Sequence, residues 1–268
     1  MCALMRIEYV KIEGQFRGGD TVKKQLFVIG DIHGEISMLK KMLEHWKPET
    51  QQLLFLGDLI DRGENSKESL KYVRQLIEEK QAISLQGNHE GILANFLEQP
   101  DKFVDNYYIN GGLKTIESLL SKELIELLKP AEMATEIKNK YPNLLAFLRN
   151  LPYYYEWHDY IFVHAGIDFE QKNWRDTAPR DFVWIREDFY LGENNTGKTI
   201  VFGHTPTNNL HKDKENSQIW LQDNKIGMDG GAVFGGTLHG IVFNKEKMLH
   251  HYGVKKHADG DSYSEVYL

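Results

Sequence analysis

Gln25-Leu26-Phe27-Val28-Ile29-Gly30-Asp31-Ile32-His33-Gly34 is the stretch on which the fold of this chain turns. Its first half is an apolar, partly β-branched run of buried-strand length. The run ends on a glycine that is followed at once by a carboxylate and an imidazole. The same order returns twice. Gln52-Leu53-Leu54-Phe55-Leu56 stops at Gly57 and delivers Asp58-Leu59-Ile60-Asp61-Arg62-Gly63, and Ala82 to Gln86 stops at Gly87 and delivers Asn88-His89-Glu90. Helical stretches separate the runs, one from Ile36 to Trp46 and one from Lys67 to Glu79, where Leu70, Val73 and Leu76 recur at helical spacing. A β-α-β-α-β order predicts parallel strands, helix crossovers and functional loops at the carboxyl ends of the strands.

Further along, Gly91 to about Leu151 is mainly helical in pattern, with Leu119-Leu120, Leu124 and Leu127-Leu128 on one face and Pro130 and Pro142 as punctuation. It reads as a helical insertion. Beyond Pro152, strand-like runs return at Tyr160 to Val163, Thr199 to Phe202, Ile219 to Leu221, Gly240 to Phe243 and Met248 to Tyr252, spaced as in antiparallel sheet. The polar tail after Lys255 is expected to be loose, and residues 1–268 are expected to form a single α/β domain.

Hydrophobic residues make up 41% of the chain, enough to cover both faces of a sizeable sheet. The net charge of -7 and the lack of a long basic stretch argue against a nucleic acid duplex held through its phosphates. The single cysteine, Cys2, excludes an internal disulfide and a thiolate zinc site. Met1 to Lys11 lacks an apolar run of signal-peptide length, and no window approaches the roughly 20 apolar residues that span a bilayer, so a soluble, cytoplasmic protein is expected.

The three strand ends would gather acids, imidazoles, an amide and a guanidinium at one sheet edge, a set expensive to bury unpaired. Divalent cations resolve that conflict, since carboxylate, carboxamide oxygen and imidazole suit manganese, iron or zinc. Two later strands end in the same way, at Phe162-Val163-His164-Ala165-Gly166 and Val201-Phe202-Gly203-His204-Thr205.

With GDxHG, GDxxDRG and GNHE all present and followed by two separated histidines, the chain resembles the phosphoprotein phosphatase branch of the calcineurin-like metallophosphoesterases. The resemblance runs from about Gln25 to Phe243 and takes in three weaker markers, Asn110-Gly111-Gly112, Trp184-Ile185-Arg186 and Asp229-Gly230-Gly231. It implies a β-sandwich flanked by helices, αββα, and a centre of two divalent ions, manganese first, with iron or zinc as alternatives. By that resemblance Asp31 and His33 would hold one ion, Asp58 would bridge, and Asn88, His164 and His204 would hold the other. A hydroxide on the two ions would attack phosphorus in line. His89 would be the general acid, Asp61 would orient its ring, and Arg62 and Arg186 would clamp the phosphate together with Asn88, Arg180 being the competitor for the second clamp.

Glu90 is read as fixing its loop, and His250-His251 and His257 as solvated. Tyr153-Tyr154-Tyr155 is expected to pack the insertion onto the sheet, with an aromatic wall for a purine base as the alternative. Gln86 stands where the eukaryotic phosphatases have arginine, and their SAPNY signature is missing, so the chain looks bacterial or phage-like within the branch. The segment Asp229 to Gly236 resembles both bacterial phosphatases and symmetrical dinucleoside tetraphosphate hydrolases. The expected activity is therefore hydrolysis of phosphoserine or phosphothreonine in proteins, or of small phosphoesters. The alternative is cleavage of diadenosine tetraphosphate, and a silent metal-binding domain is the third reading.

Overall fold

A computed structural model describes residues 23–257 and 263–267; Cys2, Met1 to Lys11 and the lead-in to Gly18-Gly19 lie outside them. The twelve strands are β1 (Gln25–Ile29), β2 (Gln51–Phe55), β3 (Ile83–Ser84), β4 (Tyr154–Trp157), β5 (Tyr160–Val163), β6 (Thr199–Phe202), β7 (Trp220–Gln222), β8 (Lys225–Gly227), β9 (Asp229–Gly230), β10 (Thr237–Asn244), β11 (Met248–Lys256) and β12 (Tyr263–Tyr267). The helices begin with α1 (Ile36–Leu43) and α2 (Ser66–Lys80). Those of the insertion are α3 (Asn88–Glu98), α4 (Pro100–Ile109), α5 (Gly112–Leu119), α6 (Lys122–Leu127), α7 (Pro130–Lys140) and α8 (Leu144–Arg149). After them come α9 (Pro179–Trp184), α10 (Glu187–Tyr190) and α11 (Thr207–Leu210).

One sheet runs β12-β11-β10-β1-β2-β3 with β9 also pairing β10, and the other runs β4-β5-β6-β8-β7. Strand alternation decides how they stack. On β1, Phe27 and Ile29 face one way and join Met38, Leu39, Val73 and Leu93 beneath the helices, while Leu26 and Val28 face the other way and meet Phe162, Val201 and Met228 of the second sheet. The outer face of the second sheet, with Ile161, Val163, Ile200 and Phe202, is covered by Phe182 and Phe189. The architecture is thus αββα. Each of these fully buried side chains contributes about 1.5–3 kcal/mol relative to exposure, so the apolar runs of β1, β5 and β6 hold the two sheets face to face.

The β1, β2, β3 pairings are parallel, as the β-α-β-α-β order predicts. The later strands are not all antiparallel. β5 pairs β6 and β6 pairs β8 in parallel, because the segment between β5 and β6 carries α9 and α10, which return the chain to the same end of the sheet. β4, within the Tyr153-Tyr154-Tyr155 segment, pairs antiparallel with β5. Those rings pack on protein: Tyr153 and Tyr154 lie against Phe182, Tyr154 against Trp174, and Tyr155 against Phe162. They therefore line the interior of the second sheet and provide no wall for a base. The tail is not loose where it is described, since β12 pairs antiparallel with Tyr252–Lys256 of β11. Its Tyr-Ser-Glu-Val-Tyr sequence has the aromatic and β-branched content of an edge strand.

His251 is also buried, its Nε2 2.9 Å from His239 Nδ1, because the alternation of β11 turns it inward where His250 points out. Among the described residues no helix is long and apolar enough to cross a membrane.

Candidate metal centre

The carboxyl ends of β1, β2, β5 and β6 and the start of α3 converge on one buried cluster. His33, Asp58, Asp61, Arg62 and His204 all have positive φ, from 45° to 68°, and they are five of the nine non-glycine residues with this conformation among the described residues. Left-handed backbone in non-glycine residues costs of order 1–3 kcal/mol each and concentrates at sites where the fold forces it. Here it turns each side chain inward immediately after its strand. Two glycines make room for the turns. A Cβ on Gly87 would lie 2.1 Å from Asp58 Oδ1, and one on Gly203 would lie 2.1 Å from Asp31 Oδ1.

Glu90 fixes the loops. Its carboxylate accepts from the backbone N–H of Asp58 (2.9 Å), Leu59 (2.8 Å) and Gly87 (2.9 Å), joining the second and third motifs.

Two sets of three donors each have all their ligand atoms within 4.8 Å: His33, Asp58 and His89, and Asp58, His164 and His204. Asp58 is common to both. Its Oδ2 lies 3.4 Å from His33 Nε2 and its Oδ1 3.4 Å from His164 Nε2. His33 and His164 hold their Nδ1 atoms to the carbonyls of Ile60 (2.7 Å) and Leu56 (3.0 Å), which assigns the proton to Nδ1 and aims the Nε2 lone pair at the centre. Asn88 Oδ1 lies 3.0 Å from His164 Nε2 and 2.9 Å from His204 Nδ1. Because the His164 proton sits on Nδ1, an Asn88 oxygen lone pair faces the His164 Nε2 lone pair at contact distance, an arrangement that a shared cation relieves. Asp31 belongs to neither set. It sits at the edge, where both its oxygens accept from the His204 N–H at 3.2 and 3.1 Å.

The electrostatics carry the same message. Burial, followed by the charges of Asp229 and Asp58, pushes the Asp31 carboxyl well above its usual range. Burial likewise raises Asp229 to about 6. Burial opposes ionisation of Asp58 too, but the four surrounding imidazoles, His164 first, hold it far below the ordinary carboxylate value. Burial lowers His33 to about 3 and pushes His164 and His204 down, which favours the unprotonated ring that can ligate. Three buried carboxyl groups among buried imidazoles form a site whose stable partner is a divalent cation. The donor set fits such a group.

His89 is completely buried and its Nε2 has no hydrogen-bond partner, lying 3.9 Å from Asp58 Oδ2. Its Nδ1 lies 2.8 Å from Asp61 Oδ2. Burial would lower this imidazole, but the Asp58 charge and the Asp61 hydrogen bond together raise it. Arg62 Nη1 lies 2.7 Å from His33 Nε2. The Nε2 lone pair it faces is the same one that His33 would offer to a cation. Arg186 Nη1 donates to the His204 carbonyl (3.2 Å) and Thr205 Oγ1 (3.1 Å). Arg62, Arg180 and Arg186 all line one cleft of about 780 Å³ over the centre, and of the two competitors it is Arg186 that reaches the His204 turn.

Three residues of the site had no role assigned from the sequence, Asp229 having stood there only as a marker. Tyr107 and Thr115 donate to Asp61 Oδ1 at 3.0 and 2.6 Å and so hold the partner of His89. They come from α4 and α5, and the Asn110-Gly111-Gly112 marker between them was their only signal: Gly111 O accepts from the Arg62 N–H, and a Cβ on Gly112 would strike the Tyr107 ring at 2.1 Å. Asp229, the third, follows the same strand-then-acid order as Asp31 and Asp58.

The Calcineurin-like phosphoesterase family model matches residues 25–239. A protein of Oceanobacillus iheyensis named asymmetrical bis(5'-nucleosyl)-tetraphosphatase PrpE is 28% identical over 250 residues, covering 83% of this chain and 90% of the relative. A Geobacillus protein of the same name is 29% identical, covering 79% and 87%. Among solved structures, a protein provisionally named a diadenosine tetraphosphatase superposes with a TM-score of 0.57 at 18% identity, covering 93% of this chain and 96% of that one. A serine/threonine phosphatase of Saccharomyces cerevisiae gives 0.51 at 17% identity, covering 83% and 73%. At these identities the structures speak for the shared fold alone.

Proposed function

The chain belongs to the calcineurin-like phosphoesterases and is a metal-dependent phosphoric ester hydrolase, and from that premise we propose that its substrates are dinucleoside polyphosphates such as diadenosine tetraphosphate. The observation that carries this reading is the similarity to the named tetraphosphatases along most of both chains. Their designation favours uneven cleavage, which divides four phosphates as one and three, over the symmetrical split expected from the Asp229 to Gly236 segment. The cleft agrees in character. Three arginines beside Trp184 and Phe234 offer guanidinium forks for several phosphates and aromatic faces for a base.

Asp31, His33 and Asp58 would hold one ion, and Asp58, Asn88, His164 and His204 the other, with manganese as the first choice. The two ions, when bound, supply Lewis-acid neutralisation of phosphoryl charge and acidification of water. His89 donates its Nδ1–H to Asp61, which is itself held by Tyr107 and Thr115, and the Asp58 charge and the Asp61 hydrogen bond favour the protonated ring, whose second proton sits on Nε2, the atom that faces the cluster. That orientation lets His89 protonate a departing oxygen. Arg186, tied to the His204 turn, and Arg62, beside His33, would clamp the phosphate chain.

The test is turnover by metal-stripped protein with Mn²⁺ restored, on diadenosine tetraphosphate, a phosphothreonine peptide and p-nitrophenyl phosphate, with nucleotide products separated by anion exchange. Dominant tetraphosphate cleavage to AMP and ATP is expected. Efficient turnover of the peptide with little nucleotide cleavage would overturn the proposal in favour of the second reading, a serine/threonine phosphoprotein phosphatase, which the motif set itself most resembles.

A further inference from the structure

Phe234 is the one aromatic among the exposed large apolar side chains of the described residues, with 68% of its surface open. It ends a short 3₁₀ turn, Ala232–Phe234, flanked by Gly231 and Gly235, both in left-handed conformation. Its ring lies 5.4 Å from the guanidinium carbon of Arg62. Phe234 is therefore fixed at the edge of the metal centre without being packed into the core.

The ring divides two clefts. On one side is the arginine-lined cleft over the centre, and on the other is a second cleft of about 450 Å³; Pro206, Asn209 and Phe234 line both. The second cleft is walled by the backbone of Gly230-Gly231 and Gly235-Gly236, with Lys214 and Lys255 among its other lining residues and Glu215 as its one acid. A Cβ on Gly235 would meet nothing within 4 Å, and the nearest neighbour of one on Gly231 would be the Phe234 ring at 3.9 Å. Both glycines therefore border open space beside the ring. An open aromatic face beside a cleft that carries two lysines is complementary to a planar heterocycle joined to phosphate.

We propose that the second cleft is a nucleoside subsite, in which a purine base stacks on Phe234 while the phosphate chain crosses the ridge to Arg62 and Arg186. This rests on the dinucleoside polyphosphate reading above. It makes Phe234 the residue that separates a nucleotide from a plain phosphoester, and it explains why an exposed ring is held between left-handed glycines at this place.

The experiment compares wild type, Phe234→Ala and Phe234→Trp in the Mn²⁺-loaded enzyme. It measures kcat and KM for diadenosine tetraphosphate and for p-nitrophenyl phosphate, and inhibition of p-nitrophenyl phosphate turnover by AMP and by inorganic phosphate. Loss of one base stack predicts a fall of about tenfold or more in the specificity ratio of tetraphosphate to p-nitrophenyl phosphate for Phe234→Ala, appearing in KM, with recovery in Phe234→Trp. The ratio of the AMP to the phosphate inhibition constant rises by a similar factor. A specificity ratio and an inhibition ratio that stay at wild-type values in Phe234→Ala overturn the subsite. So does a parallel loss on both substrates that tryptophan does not rescue, since that is the mark of a structural role. If wild type cleaves no tetraphosphate, the functional reading fails by itself, and the AMP to phosphate inhibition ratio then decides separately whether Phe234 selects nucleosides.

Discussion

Replacing His89 with glutamine separates two roles that its position allows. Its Nε2 falls within the 4.8 Å set formed with His33 and Asp58, as a ligand would, yet its Nδ1 is engaged at 2.8 Å by Asp61, as in an oriented acid. A positioned general acid contributes roughly 10²–10⁴-fold when the departing oxygen needs its proton. The alkoxide of serine or threonine does. A nucleotide leaving through a phosphate oxygen does not need it to the same degree, because such an oxygen ionises near pH ~6 and departs as a stable anion. His89→Gln should therefore lose about 10²–10⁴-fold on a phosphothreonine peptide and no more than about tenfold on diadenosine tetraphosphate or p-nitrophenyl phosphate. The assay is steady-state turnover across leaving groups of graded acidity, with metal content measured on the same samples by plasma mass spectrometry. An equal loss on every leaving group, accompanied by a drop from two ions per chain to one, would refute the acid assignment and make His89 a ligand.

Asp61→Asn removes the carboxylate that helps raise the His89 imidazole against its burial. A raised folded pKa keeps the acid protonated to higher pH, so the alkaline limb of kcat/KM on the phosphothreonine peptide should move to lower pH in this variant; a limb that stays in place would contradict the pairing. Asp58→Ala removes the one side chain common to both donor sets, and both ions should be lost together, so retention of two per chain would end its assignment as the bridge. Tyr107→Phe deletes a buried donor to the Asp61 carboxylate and should cost about 1.5–3 kcal/mol, which lowers Tm by several degrees for a domain of this size. An unchanged melting curve would show that Thr115 suffices for Asp61.

Much of this was legible along the chain because a strand that stops on glycine and delivers a polar side chain is a local pattern. Gly30-Asp31, Gly57-Asp58, Gly87-Asn88 and Gly203-His204 each specify where a buried strand ends and what stands there, and the structure gathers Asp31, His33, Asp58, Asn88, His89, His164 and His204 into one cluster. The continuous apolar run Leu26 to Ile29 was likewise enough to predict burial on both faces of the first sheet.

Tertiary structure decided what depends on partners distant in sequence. The direction of β6 follows from where α9 and α10 return the chain, and no composition within Thr199 to Phe202 encodes it. His251 and His250 are identical in kind and adjacent in sequence, yet the register of β11 on β10 buries one against His239. Tyr107 and Thr115 lie 46 and 54 positions from Asp61, on helices whose pattern announces only an apolar face; their hydroxyls become site residues because α4 and α5 pack behind the second motif. The sequence by itself determined which donors exist and at which strand ends they stand, since hydrophobic periodicity and glycine turns act over a few residues. Which donors meet, which imidazoles burial pushes down and which phenylalanine is left in the open were decided by packing, because burial and charge are properties of neighbours in space.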